Sequence, residues 1–128
     1  MKTHKDLSVW RKSMDSVLLV YKSTSFFPKE ELWGLTSQMR RASVSIPSNI
    51  AEGHGRNSDK DLVRFLYISL GSASELETQL IISKELGFLS EEKFNELNGI
   101  NTEVIKMIVA LIRSKGNNNI NEDKNNIE

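Results

Sequence analysis

Two histidines and no cysteine set narrow limits on the chemistry this 128-residue chain can perform. Without thiols there are no disulfides, no thiolate nucleophiles and no thiolate metal sites. A carboxylate-bridged di-metal centre in a helical bundle needs inward glutamates and a Glu-x-x-His pair on each of two helices. Glu52 and His54 stand two residues apart, on different faces of a helix, and His4 lies in the N-terminal flank. A helical ribonuclease site puts an arginine a few residues ahead of a histidine. Arg40 and Arg41 have no histidine at that spacing, and Arg56 follows His54. Gly53-His54-Gly55 lacks the Gly-Lys-Ser or Gly-Lys-Thr that completes a phosphate-cradling loop. The expectation is a protein that is not an enzyme and uses neither metal nor cofactor.

Charge and hydrogen bonding remain. The 17 basic and 17 acidic residues cancel, so any preference for an electrostatic partner must come from clustering. Lys2, Lys5, Arg11, Lys12 and Lys22 outnumber Asp6 and Asp15 early in the chain, and Arg40, Arg41, Arg56, Lys60 and Arg64 form a second group. The later half is neutral to acidic. Such a distribution suits phosphate contact on one side of the molecule. Arg41, Ser45, Ser48, Asn49, Glu52 and Arg56 follow largely at three- and four-residue steps, making a polar stripe on one helix. That stripe is either a solvated face with an i,i+4 Glu52–Arg56 pair, or a strip used at a subunit contact or an RNA backbone. Trp10 reads as core; Trp33 reads as core edge or interface, with interface favoured.

The elements that carry these residues are helical. Two prolines and seven glycines are too few for the frequent turns of an all-β chain. Apolar residues recur at helical steps four times. Over about 6–23 they are Leu7, Trp10, Met14, Val17, Leu18 and Tyr21. Over 28–54 they are Leu32, Leu35, Met39, Ala42, Ile46 and Ile50, with Pro28 at the first helical position and a kink at Pro47, where Ser43, Ser45 and Ser48 offer hydroxyls to the freed carbonyl. Over 59–86, begun by Ser58, they are Leu62, Phe65, Leu66, Ala73, Leu76 and Leu80, with Ser69 and Ser83 also inward. Over 91–115, capped by Ser90, they are Phe94, Leu97, Val104, Ile108 and Leu111, with Asn101 also inward. Gly87 stops the third helix. Residues 116–128 are an Asn-rich tail expected to be disordered. Short connections between long helices give an all-α, antiparallel, up-down-up-down four-helix bundle over 1–115.

Ile100, Ile105, Met107 and Ile112 widen the apolar face of the fourth helix, and Ser69 to Ser74 is nearly all small, so self-association is expected. No stretch approaches the roughly 20 apolar residues that span a bilayer. No apolar signal region follows the N-terminus, so a cytoplasmic protein without membrane contact is expected.

The run Gln38-Met39-Arg40-Arg41-Ala42-Ser43-Val44-Ser45-Ile46-Pro47-Ser48-Asn49-Ile50-Ala51-Glu52-Gly53, with Arg56 and Ser58 after it, resembles a known signature. It is that of the bacterial four-helix-bundle family encoded by intervening sequences within 23S rRNA genes. Phe27-Pro28 with Glu31, Phe65-Leu66 through Gly71-Ser72-Ala73-Ser74-Glu75-Leu76-Glu77-Thr78-Gln79, and Leu86-Gly87-Phe88-Leu89 extend the likeness over roughly Leu7 to Lys115. The resemblance implies a bundle whose second helix continues through its proline, and assembly into a homopentamer. A related branch, the accessory variability determinant of diversity-generating retroelements, engages RNA and a reverse transcriptase through a basic surface. Carried onto this chain, the resemblance makes Arg40, Arg41 and Arg56 the nucleic-acid-binding candidates and Asn49 and Glu52 polar organisers; Lys60 and Arg64 join them from the charge distribution. The expected function is a non-catalytic, oligomeric, RNA-associated protein. A scaffold that recruits a protein partner without touching nucleic acid is the alternative.

Overall fold

The computed structural model describes residues 3–127, with side chains described through Gly116. It contains four α-helices: α1 Ser8–Thr24, α2 Leu35–His54, α3 Asp59–Glu85 and α4 Glu91–Ile127. Two 3-10 turns, His4–Asp6 and Lys29–Glu31, precede α1 and α2, and no strand occurs among the described residues. Contacts run α1 to α2, α2 to α3, α3 to α4 and α4 back to α1, which puts α1 and α3 on one diagonal of the bundle. Cross-links fix the directions. Arg40 near the start of α2 reaches Thr24 at the end of α1, Ser69 and Ser83 of α3 meet Ile46 and Met39 of α2, and Asn101 of α4 meets Ala73 of α3. Lys12 of α1 pairs with Glu103 of α4 at 2.8 Å. Neighbours are antiparallel throughout, giving the up-down-up-down bundle.

Of the stripe that hydropathy selects along the first segment, Leu7 is in the core and Trp10 packs against it, but the rest is not the face that turns inward. Val9, Ser13, Ser16, Val20, Ser23 and Thr24 are buried, whereas Leu18 is 57% exposed and Tyr21 42% exposed. Trp10, Met14 and Val17 are only half-buried. Small hydroxyl residues occupy much of the inner face of α1. Two of them also satisfy themselves on their own helix: Ser13 Oγ donates to the Trp10 carbonyl and Thr24 Oγ1 to the Val20 carbonyl, both at 2.8 Å.

α2 starts seven residues later than Pro28 suggests. Pro28 has ψ 142°, which extends the chain into the Lys29–Glu31 turn instead of opening a helix. Gly34 (φ −109°, ψ −112°) then redirects it, and Glu31 Oε2 accepts the Leu35 N–H at 3.2 Å as an acceptor for the helix start. Leu32 is consequently exposed. α2 continues through Pro47 as one helix, as the resemblance implied. The serine hydroxyls do not serve the carbonyl that Pro47 frees, that of Ser43: Ser43 Oγ donates to Arg40 O and Ser48 Oγ to Val44 O. Beside the proline, Ser69 Oγ of α3 donates to Ile46 O at 2.9 Å, so the docking bond between the two helices falls there.

The start signals of α3 and α4 and the stop signal of α3 hold. Ser58 Oγ accepts from Asp61 N–H and Ser90 Oγ from Lys93 N–H. Gly87 takes φ +79°, a left-handed conformation that glycine alone adopts without strain. Ile100, Ile105 and Met107 pack against the core and Ile112 is within it. Ser69, Ser72 and Ala73 likewise serve contacts inside the bundle. The surplus apolar surface lies elsewhere, on Leu18 and Tyr21 of α1 and on Tyr67, Ile68, Ile81 and Ile82 of α3. The backbone of α4 extends past the helix end expected near Lys115. The expected disordered tail, 116–128, falls beyond Gly116 on residues outside those whose side chains are described. Among the described residues no helix is long and apolar enough to cross a membrane.

Candidate nucleic-acid interface

The α2–α3 junction is built on a close approach. Gly53 is buried in the last turn of α2, and a Cβ there would stand 2.8 Å from Phe65 Cβ and 3.1 Å from Leu62 Cδ1. With nothing in between, Phe65 of α3 comes up against the chain leaving α2. Arg56 and Arg64 then both lie over its ring, with guanidinium carbons 4.9 and 4.7 Å from the centroid. Arg56 is also ion-paired to Glu52, and Arg64 lies 3.9 Å from Asp61. Stacking on an aromatic face holds a guanidinium in place while its N–H edge stays available to an oxygen acceptor.

Antiparallel packing adds cations that are remote in sequence. Lys115 of α4 lines a cleft of about 170 Å³ together with His54, Arg56, Asn57, Ser58 and Asp59. The N-terminus of α1 and the C-terminal part of α4 share this end of the bundle. Lys5, Arg11, Lys60 and Arg113, all exposed, therefore join Arg56, Arg64 and Lys115, against Asp6, Glu52, Asp59 and Asp61. Lys5 and Arg11 belong to the early basic group that the sequence shows, whereas Lys115 and Arg113 were not among the sequence-derived candidates. The signal that finds them is the up-down-up-down order itself, which returns the last helix to the starting end.

The remaining candidates are placed differently. Arg40 is directed inward: Nε donates to Thr24 Oγ1 at 2.9 Å, an Nη reaches the Tyr21 carbonyl, and the guanidinium lies over the Tyr21 ring. It ties α2 to the C-terminus of α1. Arg41 is exposed in a polar groove with Gln38, Ser45, Ser72 and Glu75. Some 13 residues of helix, roughly 20 Å, separate it from the end of α2. Asn49 is a seam residue whose Nδ2 donates to Ser45 O and Oγ, while Ser72 Oγ of α3 donates to Ser45 Oγ at 2.8 Å. The geometry thus unites Arg56, Lys60, Arg64 and Glu52 at one end, and leaves Arg40, Arg41 and Asn49 outside that group. Among the described residues no three histidine, aspartate or glutamate side chains converge as metal ligands. Trp33 is 89% exposed, on neither core nor core edge.

The class of protein is an all-helical bundle, with no strand among the described residues. Residues 5–110 match the 23S rRNA-intervening sequence protein family, and the chain belongs to it. Among solved structures it is similar to a protein of unknown function from the S23 ribosomal protein family of Bacteroides thetaiotaomicron VPI-5482. The TM-score is 0.74 at 25% sequence identity, covering 81% of this chain and 97% of that one. No curated protein matches the chain.

Proposed function

We propose that this protein is a non-catalytic, self-associating RNA-binding scaffold of the cytoplasm that meets phosphate through the basic end of its bundle. The observation that carries this reading is the convergence of Arg56, Arg64, Lys60 and Lys115 around the α2–α3 junction, two of them pre-oriented on Phe65. The contact is one of charge and shape, so affinity falls steeply as salt rises and phosphate-bound counterions are no longer released at a gain. A mobility-shift titration with structured RNA at two salt concentrations tests it. Lys60→Glu, Arg64→Glu and Lys115→Glu together abolish the shift while Arg41→Glu leaves most of it. No binding at low salt, or binding indifferent to salt, refutes the assignment.

Self-association is supported by apolar surface on two diagonal helices. One face has Leu18 and Tyr21 exposed beside a groove of about 340 Å³ lined by Trp10, Met14, Val17, Val44 and Pro47. The other is the outer side of α3 with Tyr67, Ile68, Ile81 and Ile82. Two different sticky faces on opposite sides favour a head-to-tail contact, which closes into a ring when the rotation permits. Five copies is the number the family resemblance implies. Light scattering on a size-exclusion column checks it, and a single-chain mass rejects it.

A further inference from the structure

Where α1 hands over to α2, the chain folds around a cleft of about 410 Å³. Phe27, Pro28 and Leu32 form its apolar wall, and the charged side chains that line it, Lys29 and Arg40, are both cationic. Apolar walls with a few convergent polar groups are the make-up of a small-ligand site. Thr36 gives the cleft a polar floor. It is 3% exposed, yet its hydroxyl hydrogen-bonds to no other group among the described residues. A hydroxyl so enclosed is a donor in want of an acceptor. Leu35 N–H is taken by Glu31 Oε2 and Gln38 N–H by the Gly34 carbonyl, but the N–H groups of Thr36 and Ser37 have no acceptor among the described residues. The start of α2 therefore adds its own preference for negative charge.

Arg40 stands one turn beyond Thr36, on the same face of α2. Its Nε donates to Thr24 Oγ1 and one Nη to the Tyr21 carbonyl, which leaves three of its five N–H groups unused. Arg40 is half-buried, and neither it nor the exposed Lys29 is in an ion pair among the described residues. Lys22, Glu30 and Glu31 are the other charges on these connections. None of them lines the cleft, and Glu31 is bonded to the start of α2.

We propose that this cleft binds a small organic anion, with its oxyanion on Arg40, Lys29 and the Thr36 hydroxyl and its apolar part against Phe27, Pro28 and Leu32. Donors and positive charge without a lining carboxylate select an anion over a cation. The apolar wall selects an organic molecule over a bare inorganic ion. Guanidinium and ammonium groups meet carboxylate and phosphate alike, so the head group is read from the titration. The cleft lies at the opposite end of the bundle from Phe65, and binding here is independent of RNA binding there.

Amide NMR spectra of the protein are followed during titration with phenyl phosphate, benzoate, inorganic phosphate and benzylamine. The expected result is a saturable shift of the Lys29, Thr36 and Ser37 amides with an aromatic anion, the tighter of the two identifying the head group. Inorganic phosphate binds more weakly by about tenfold, and benzylamine does not bind. Thr36→Val and Lys29→Gln break no hydrogen bond or ion pair within the chain, unlike any change at Arg40, so each reports on the site with the fold retained. Each weakens binding of the aromatic anion by about tenfold, and Lys60→Glu with Arg64→Glu leaves it unchanged. No saturable shift with either aromatic anion, an equal response to benzylamine, or unchanged binding in either variant overturns the proposal. Inorganic phosphate binding as tightly as phenyl phosphate does so too, as does structured RNA that shifts the same amides.

Discussion

Replacing Gly53 with alanine introduces one methyl group where α2 already touches Phe65 and Leu62. Leu62 Cδ1 can swing aside as the tip of a flexible side chain, but Phe65 Cβ at 2.8 Å and the Leu62 carbonyl at 3.3 Å cannot. Overpacking of this kind costs about 1–3 kcal/mol, more than the ~1 kcal/mol that alanine gains over glycine in helix propensity. Gly53→Ala therefore lowers the midpoint of denaturant unfolding. Gly55→Ala does not: Gly55 has φ −79° and its nearest new contacts are at 3.6 Å, so the change is neutral or slightly stabilising. The pair of variants, compared by chemical denaturation, separates close approach from helix termination as the reason for Gly53-His54-Gly55. A second residue-level expectation concerns Lys12 and Glu103. The hydrogen bond and charge of Lys12 hold the Glu103 carboxyl below its ordinary 4.5, and Glu103 holds the Lys12 ammonium above its ordinary 10.5. Glu103 therefore adds stability above its unfolded pKa, and this is lost as pH falls through the depressed value. Lys12 adds stability below its unfolded pKa, and this is lost as pH rises through the elevated one. Both groups are exposed and screened, so the signature is a shallow change in melting temperature at each edge of that window, absent in Glu103→Gln.

Among the helices, α3 and α4 are legible in the sequence and α1 is not, for a physical reason. On α3 and α4 the most apolar stripe coincides with the buried one, and Ser58, Ser90 and Gly87 mark the ends by backbone bonds that spacing reveals. On α1 the stripe of largest hydrophobicity, Trp10 to Tyr21, is left half-buried or exposed, while a row of serines is buried. Periodicity reports which face is apolar, and on α1 that face is not the one turned inward. The start of α2 is hidden similarly, because Pro28 suits a first helical position until its ψ is known. Of the candidate site, Arg56, Lys60 and Arg64 are adjacent in sequence and could be found there, whereas Lys115 requires the topology. The α1 inversion makes a sharp expectation. Ser16→Leu, which any hydropathy scale rates as an improvement, destabilises the bundle by about 1–3 kcal/mol through overpacking. Leu18→Ser leaves the unfolding transition of the single chain within about 0.5 kcal/mol and acts on self-association instead. Thermal melts and light scattering on the two variants separate these effects.

For the molecule as a body, the two ends differ in kind: stacked guanidiniums and lysines at one, bare aromatics at the other. In the proposed ring every copy contributes both, so one rim is cationic and the other aromatic. Disrupting the α1 face with Tyr21→Glu then lowers the assembled mass. It also reduces RNA affinity by far more than one charge per chain explains, since binding through several copies is lost at once. Sedimentation and mobility shifts on that variant measure both effects. The same topology has a practical corollary for anyone handling the protein. Because α1 begins and the bundled part of α4 finishes on the cationic side, an affinity tag attached at either terminus crowds that side. A polyhistidine tag adds titratable imidazoles to the surface whose attraction for phosphate is being assayed, and cleaving it before comparing affinities is part of the measurement.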